Sequence, residues 1–199
     1  MTARTTAPGP GPGPGPRERL IDAARDLTYR QGMHVGIDAI LKSANVARRS
    51  LYEHFGGKDG LIAAVLERTT EEDLAAYRAT MSAAGDSPRD RLLAVFDRLG
   101  EIAGTDAFRG CRYLAADLAL ADPGHPGHAV TAAYRTGVRD LFETELVDLG
   151  HPRPGFAADQ LLLLVDGLLA TAATRPGTDP AWARELAEQV IDFAAPEAA

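Results

Sequence analysis

Arg48 and Arg49 stand side by side in "NVARRSLYEHFGGKDGL", residues 45–61, with Ser50, Tyr52, His54 and Lys58 close behind and Lys42 upstream. Arginine offers a rigid fork of N–H donors that matches phosphate oxygens or a guanine edge. Tyrosine and histidine donate single bonds, and lysine acts as a movable point charge. No Asp or Glu falls between Ala39 and Tyr52. The chemistry open to such a set is the binding of a polyanion. If the segment is a short helix, both arginines lie in its first turn, where the peptide dipoles already leave partial positive charge. Each then costs a few tenths of a kcal/mol. A docked polyanion offsets that cost, because the first-turn amides and both guanidinium groups converge on it.

Other reactive residues make weaker patterns. "DPGHPGH" brings Asp122, His125 and His128 together, a set that can bind zinc, but on a Pro/Gly loop the spacing fixes no geometry. A polar connection between helices is the competing reading, and no metal is assigned. Cys111 is the single cysteine, so it forms no internal disulfide and no multi-cysteine zinc site. In "FRGCRYL" it reads as a small buried hydrophobe, with Arg109 and Arg112 near enough to leave a thiol sensor conceivable. There is no glycine-rich phosphate loop after a strand and no convincing Ser/His/Asp constellation, so neither catalysis nor a cofactor is expected.

Charge is divided unevenly along the chain. The net charge of −7 opposes nucleic-acid binding taken alone. Residues 1–69, however, hold ten Lys/Arg against seven Asp/Glu, and residues 70–199 hold eleven against twenty-one. A basic binding module joined to an acidic body fits that asymmetry. The longest apolar run, "LLLLVDGLLA", is interrupted by Asp166, and the N-terminus lacks the basic-then-apolar order of a signal peptide. The expectation is a cytosolic chain with no membrane partner.

The elements that must position these residues are helices. Residues 1–16 form a Pro/Gly leader that cannot offset its ordering entropy, with Arg4 a minor candidate for touching DNA. Leu20, Ala23, Ala24 and Leu27 then share one face of a helix running to Gly32, and Ile37, Ile40, Leu41 and Ala44 share a face of a second. Asn45 tolerates the left-handed backbone of a sharp turn. A third helix is predicted from Ala47 to about His54, ended by Gly56-Gly57, and a fourth from Lys58 to about Met81. "SPRD" at 87–90 starts a fifth helix. A sixth is predicted over 108–120, a seventh to Leu149, an eighth over 157–174 and a ninth from Asp179-Pro180 to about Phe193. No segment shows strand periodicity, so the fold class is all-α with about nine helices.

Two short helices joined by a three-residue turn and preceded by a packing helix match the helix-turn-helix arrangement, whose second helix enters the major groove. Residues 17–66 also resemble the DNA-binding domain of the TetR/AcrR family of bacterial transcriptional regulators. "RERLIDAARDLTYRQG" is similar to that family's first helix and "GIDAILKSANVARRSLYEHFGGKDGLIAAVL" to its second to fourth, the "LYEHF…K…L" segment being the most specific. The resemblance implies that Arg48, Arg49, Tyr52, His54 and Lys58 face DNA, with Tyr52 and Lys58 on the backbone. Three positions depart from it: Gly36 and Ala47 replace capping hydroxyl residues and Asn45 replaces glycine. Each lost cap side chain costs about 1 kcal/mol.

For residues 67–199 the resemblance implies a helical domain that dimerises and encloses a small-molecule pocket. The expected protein is thus a ligand-responsive regulator, a repressor that binds palindromic double-stranded DNA as a homodimer and is released by an effector. "LLLLVDGLLA" is apolar around its whole circumference, which a helix tolerates only when surrounded. Leu161, Leu164, Val165 and Leu168 are the expected dimer contacts there, with Trp182, Leu186, Val190 and Phe193 on the last helix. Packing within one chain is the alternative. Phe96, Leu99, Phe108, Cys111, Tyr113, Leu114, Leu118, Tyr134 and Val138 could line the pocket or be ordinary core. A small helical enzyme or carrier with a pocket around Cys111 and Tyr134, or an adaptor docking proteins through its N-terminal helices, are the rival functions.

Overall fold

The computed structural model describes residues 13–175 and 177–193. The first twelve residues, Arg4 and most of the Pro/Gly leader among them, lie outside the described residues. Within that span there are nine helices and no strand: α1 (Pro16–Gln31), α2 (Ile37–Ala44), α3 (Arg48–Phe55), α4 (Lys58–Ala83), α5 (Pro88–Ala103), α6 (Arg112–Ala119), α7 (Pro126–Asp148), α8 (Pro154–Thr174) and α9 (Ala181–Ile191).

Two clusters of buried apolar side chains meet in α4. Leu20, Ile21, Ile40, Leu41 and Leu51 close over Leu61 and Val65, so α1, α2 and α3 form a small head around the start of α4. Ile62 and Leu66, on the neighbouring face of the same helix, belong instead to the large cluster of α5, α7, α8 and α9. α4 packs along α7, and α7 along α8. One continuous helix therefore supports the head at one end and is gripped by the body over the rest of its length.

The head's short helices form without side-chain caps. Gly36 and Ala47 occupy the N-cap positions of α2 and α3, and neither end has a side-chain cap bond. Chain geometry does the work instead. Asn45 adopts the left-handed conformation (φ 51°, ψ 53°) with its N–H donated to the carbonyl of Lys42, and the N–H of Val46 goes to Leu41. Gly56 (φ 70°) ends α3 in the same region. The α3–α4 corner is tight: a Cβ on Gly60 would lie 2.0 Å from the carbonyl oxygen of Phe55.

The body departs from the sequence expectation in three places. α6 begins at Arg112 rather than 108, because Gly110 turns the chain at φ 99° and Cys111 serves as N-cap. α8 starts at Pro154, which has no N–H to lose in the first turn. By length and composition α8 is also apolar enough to cross a membrane, contrary to the reading that Asp166 rules this out. Here it is a core helix: Leu161, Val165, Leu168 and Leu169 are buried, and Asp166 faces Arg135 at 3.7 Å.

Gly60→Ala should destabilise the protein by about 1–3 kcal/mol, because backbone rather than a yielding side chain blocks the new methyl. Thermal melts of parent and variant read this directly. Unchanged stability would show that the α3–α4 corner opens without cost.

Candidate nucleic-acid interface and body cavity

Arg48 and Arg49 project from the exposed N-terminal turn of α3, with Tyr52 (54% exposed) and His54 one turn on. The charge they add to the helix tip is met inside the protein. Arg48 is hydrogen-bonded to Asp38 at the start of α2, and Arg49 Nε donates to Glu53 at 2.6 Å. Asp38 lies one residue outside the acid-free stretch seen in the sequence, and Glu53 one residue beyond it. The expectation that the helix-end cost waits on a docked polyanion is therefore corrected: two carboxylates already offset it. They do it weakly. Asp38 is 84% exposed and Arg49 88%, and ion pairs in such solvent contribute about 0.2–1 kcal/mol. The arginines are pre-aligned and easily surrendered.

Lys42 is exposed on α2, and Ser50 is half-buried with its N–H donated to the carbonyl of Ala47 at 3.0 Å. Lys58 is placed differently from the other cations expected to face DNA. It is half-buried, and its Nζ donates to the carbonyl oxygen of Met33 at 2.9 Å, tying the start of α4 to the α1–α2 turn. That carbonyl lies in a non-helical turn, so it has no helical N–H to satisfy it.

In the body, a cavity of about 110 Å³ opens among α4, α5, α6 and α7. Of the residues expected to line a pocket, Leu99, Phe108, Cys111, Tyr113 and Tyr134 are on its wall. Phe96 and Val138 are core instead, Phe96 lying parallel to Phe142, and Leu114 is half-buried against the same cluster. Leu118 is 80% exposed and faces solvent, because α6 is short and turns its other face inward. The wall also carries residues not anticipated from the sequence: Tyr29, Asp73, Tyr77, Arg98 and Arg112. Asp73 had a signal, since it interrupts the stripe Ile62, Leu66, Tyr77, Met81 that α4 buries.

The cavity's polar groups are linked. Tyr113 donates its hydroxyl to Asp73 at 2.8 Å, and the hydroxyls of Tyr77 and Tyr134 are 3.2 Å apart. The rings of Tyr113 and Tyr134 are stacked with centroids 3.6 Å apart. Burial raises the Asp73 carboxyl above its ordinary value, only partly countered by the Tyr113 bond and Arg112. Burial likewise pushes Tyr77 up to about 12 and raises the Cys111 thiol. A raised thiol is the reverse of what a nucleophile or thiol sensor requires.

The loop histidines have structural partners. Asp122 accepts the N–H of Gly124, and His125 Nδ1 accepts that of Gly127 to cap α7. His128 sits between Asp117 (3.0 Å) and the carbonyl of Leu120 (3.1 Å), and no group able to hold a metal is found among the described residues.

On the outer face, Leu161, Val165 and Leu168 are buried within the chain, correcting their assignment as dimer contacts. Trp182 is half-buried, its ring beside Gly167. Leu164 and Val190 are half-buried beside the exposed Leu163, Leu186 and Phe193, and together these five residues line an open apolar groove between α8 and α9.

A head of three helices with an exposed second helix of the pair, carried on a helical body with its own cavity, defines a helix-turn-helix regulator. The profile of bacterial regulatory proteins of the tetR family matches residues 20–65. The regulator BetI of Stenotrophomonas maltophilia (strain R551-3) is 30% identical over 185 residues, covering 89% of this chain and 91% of its own. A TetR-type transcriptional regulator of Streptomyces avermitilis is 36% identical with a TM-score of 0.78, covering 91% of this chain and all of that one. The TetR-family regulator SCO4454 of Streptomyces coelicolor is 31% identical with a TM-score of 0.74, over 89% and 92% of the two chains. The chain belongs to the tetR family and is a DNA-binding transcriptional regulator.

Asp73→Asn should raise thermal stability at neutral pH. A carboxyl raised in the folded state carries its penalty once it ionises, so the parent loses stability as pH climbs from about 3.9 through the folded value. The variant's advantage should vanish at acid pH. An advantage independent of pH would contradict desolvation of the Asp73 carboxylate as the cause.

Proposed function

We propose that the protein is a homodimeric, effector-responsive repressor. Residues 17–66 would read DNA and residues 67–199 would bind the effector and join the two copies. The observation that carries the reading is the tip of α3: two arginines, exposed, aligned by carboxylates on their own chain and able to exchange them for phosphate oxygens or a guanine edge. Tyr52 and His54 add donors beside them, Lys42 adds charge, and Ser50 supports the turn. Lys58 would reach the DNA backbone from its anchor on Met33, or by leaving it.

Dimerisation follows from the geometry of duplex DNA. Two heads about 34–36 Å apart can read a palindrome on successive major-groove faces. The α8–α9 groove favours a second copy as its occupant, because an isologous contact would bury Leu163, Leu186 and Phe193 against their own counterparts. An effector in the body cavity would act by preferring one spacing of the heads, releasing DNA to the extent of its differential affinity. The cavity's stacked tyrosines, partly buried carboxylate and two arginines suit a compact ligand with both donors and acceptors. Chemistry in that cavity is disfavoured by the raised Cys111 thiol. A cytoplasmic location accords with a DNA target.

Fluorescence anisotropy with duplexes selected from random DNA tests the reading. Affinity should fall steeply with salt and depend on sequence. Arg48→Ala should cost about 1–3 kcal/mol of binding, while Asp38→Asn, which frees Arg48, should tighten it. Salt-insensitive binding, or equal affinity of parent and Arg48→Ala, would contradict it. For the dimer, Leu163→Glu should convert a sedimenting dimer into a folded monomer at micromolar concentration. A variant that still sediments as a dimer would remove the groove from the interface.

A further inference from the structure

A second cavity, of about 240 Å³, lies where the head meets the body. Its walls come from α1, the turn between α1 and α2, α4, the segment 109–111 and the length of α6, with Met33, Val65 and Leu66 giving an apolar floor. Arg25, Arg109 and Arg112 line it together with His34, and no carboxylate among the described residues does. Arg25 is already engaged by Glu72 at 2.7 Å. The other two have no ion pair among the described residues. Arg109 spends one Nη on the carbonyls of Asp106 and Phe108, at 2.7 and 2.8 Å, and Arg112 lies over the ring of Tyr29 at 4.8 Å. Asp73, the carboxylate whose charge bears on Arg112, belongs to the wall of the body cavity instead. The Arg112–Tyr29 stack lines both spaces, as do Gly110 and Cys111, so the two adjoin there.

We propose that this junction cavity binds a small aromatic carboxylate. The apolar floor would take the ring, and Arg112 with Arg109 would take the carboxylate, guanidinium and carboxylate being matched in planar geometry. The volume is below the roughly 300–1,000 Å³ of pockets for drug-sized ligands, which sets the class at one or two fused rings. Ligands of the body cavity would meet stacked tyrosines and the partly buried Asp73 beside Arg98 and Arg112, whereas no carboxylate among the described residues lines the junction cavity. Occupancy would also bear on DNA binding, a consequence that rests on the regulator reading. Met33 lines the cavity, and its carbonyl holds Lys58 at 2.9 Å. A ligand pressing on Met33 therefore couples to the lysine at the head of α4.

The test is calorimetric titration of the full chain, without DNA, with 2-naphthoate and with the neutral 2-naphthalenemethanol. The carboxylate should bind and the alcohol should bind at least tenfold more weakly. Arg112→Gln should lose at least tenfold for the carboxylate, and Ala115→Trp, which fills the cavity from an exposed rim position, should abolish binding with its thermal melt unchanged. Ile102→Trp, on the body cavity alone, should leave binding intact. Equal binding of acid and alcohol, no binding by the parent, or loss through Ile102→Trp but not Ala115→Trp would each overturn the proposal. Those results leave the regulator reading standing if selected duplexes still bind. Intact naphthoate binding without any DNA affinity would overturn that reading and not the site.

Discussion

The structure turns on one electrostatic arrangement: two guanidinium groups held at a helix end that is already electropositive. α3 has no side-chain cap and no acidic residue in its first turn. Its own dipole therefore disfavours Arg48 and Arg49, and the offset comes from Asp38 and Glu53 in exposed, screened pairs. A buried pair would have fixed the arginines permanently, because breaking it strands a charge out of water. An unpaired tip would have left them disordered and α3 weaker. Exposed pairing lies between these limits and keeps both side chains aligned yet exchangeable.

Much of the remaining architecture serves to present that tip. The left-handed Asn45 turns α3 away from α2, and Gly60 lets α4 approach the end of α3 more closely than any side chain would allow. Lys58 ties the start of α4 to the α1–α2 turn. α4 then runs into the body, where its inward face carries Asp73 and Tyr77 to the cavity. Head and cavity are thus two ends of one helix, and α6 touches both the cavity and the junction through Arg112.

Helices were legible in the sequence wherever apolar periodicity and punctuation agreed. α1, α2 and α5 run between Pro, Gly and Ser signals that act through local backbone geometry, so their ends fall where the residues say. The left-handed turn at Asn45 was legible for the same reason. α6 was not, because Phe108 and Cys111 stand three apart, as neighbours on one helical face do, and only the φ of Gly110 shows that the helix begins later. Side-chain destinations were harder still. α8 is apolar all round, and nothing local tells Leu161, which packs inward, from Leu163, which faces out. Asp38 as the partner of Arg48 could not be read from spacing, since the pair spans two helices whose crossing depends on tertiary packing.

The most direct measurement is of the arginine side chains themselves, by NMR of their N–H resonances during titration with a selected duplex. The account predicts that the Arg48 and Arg49 signals shift together on adding DNA, and that Asp38→Asn moves the Arg48 signal before any DNA is present. Resonances at both positions that stay fixed while the duplex binds elsewhere on the protein would contradict it.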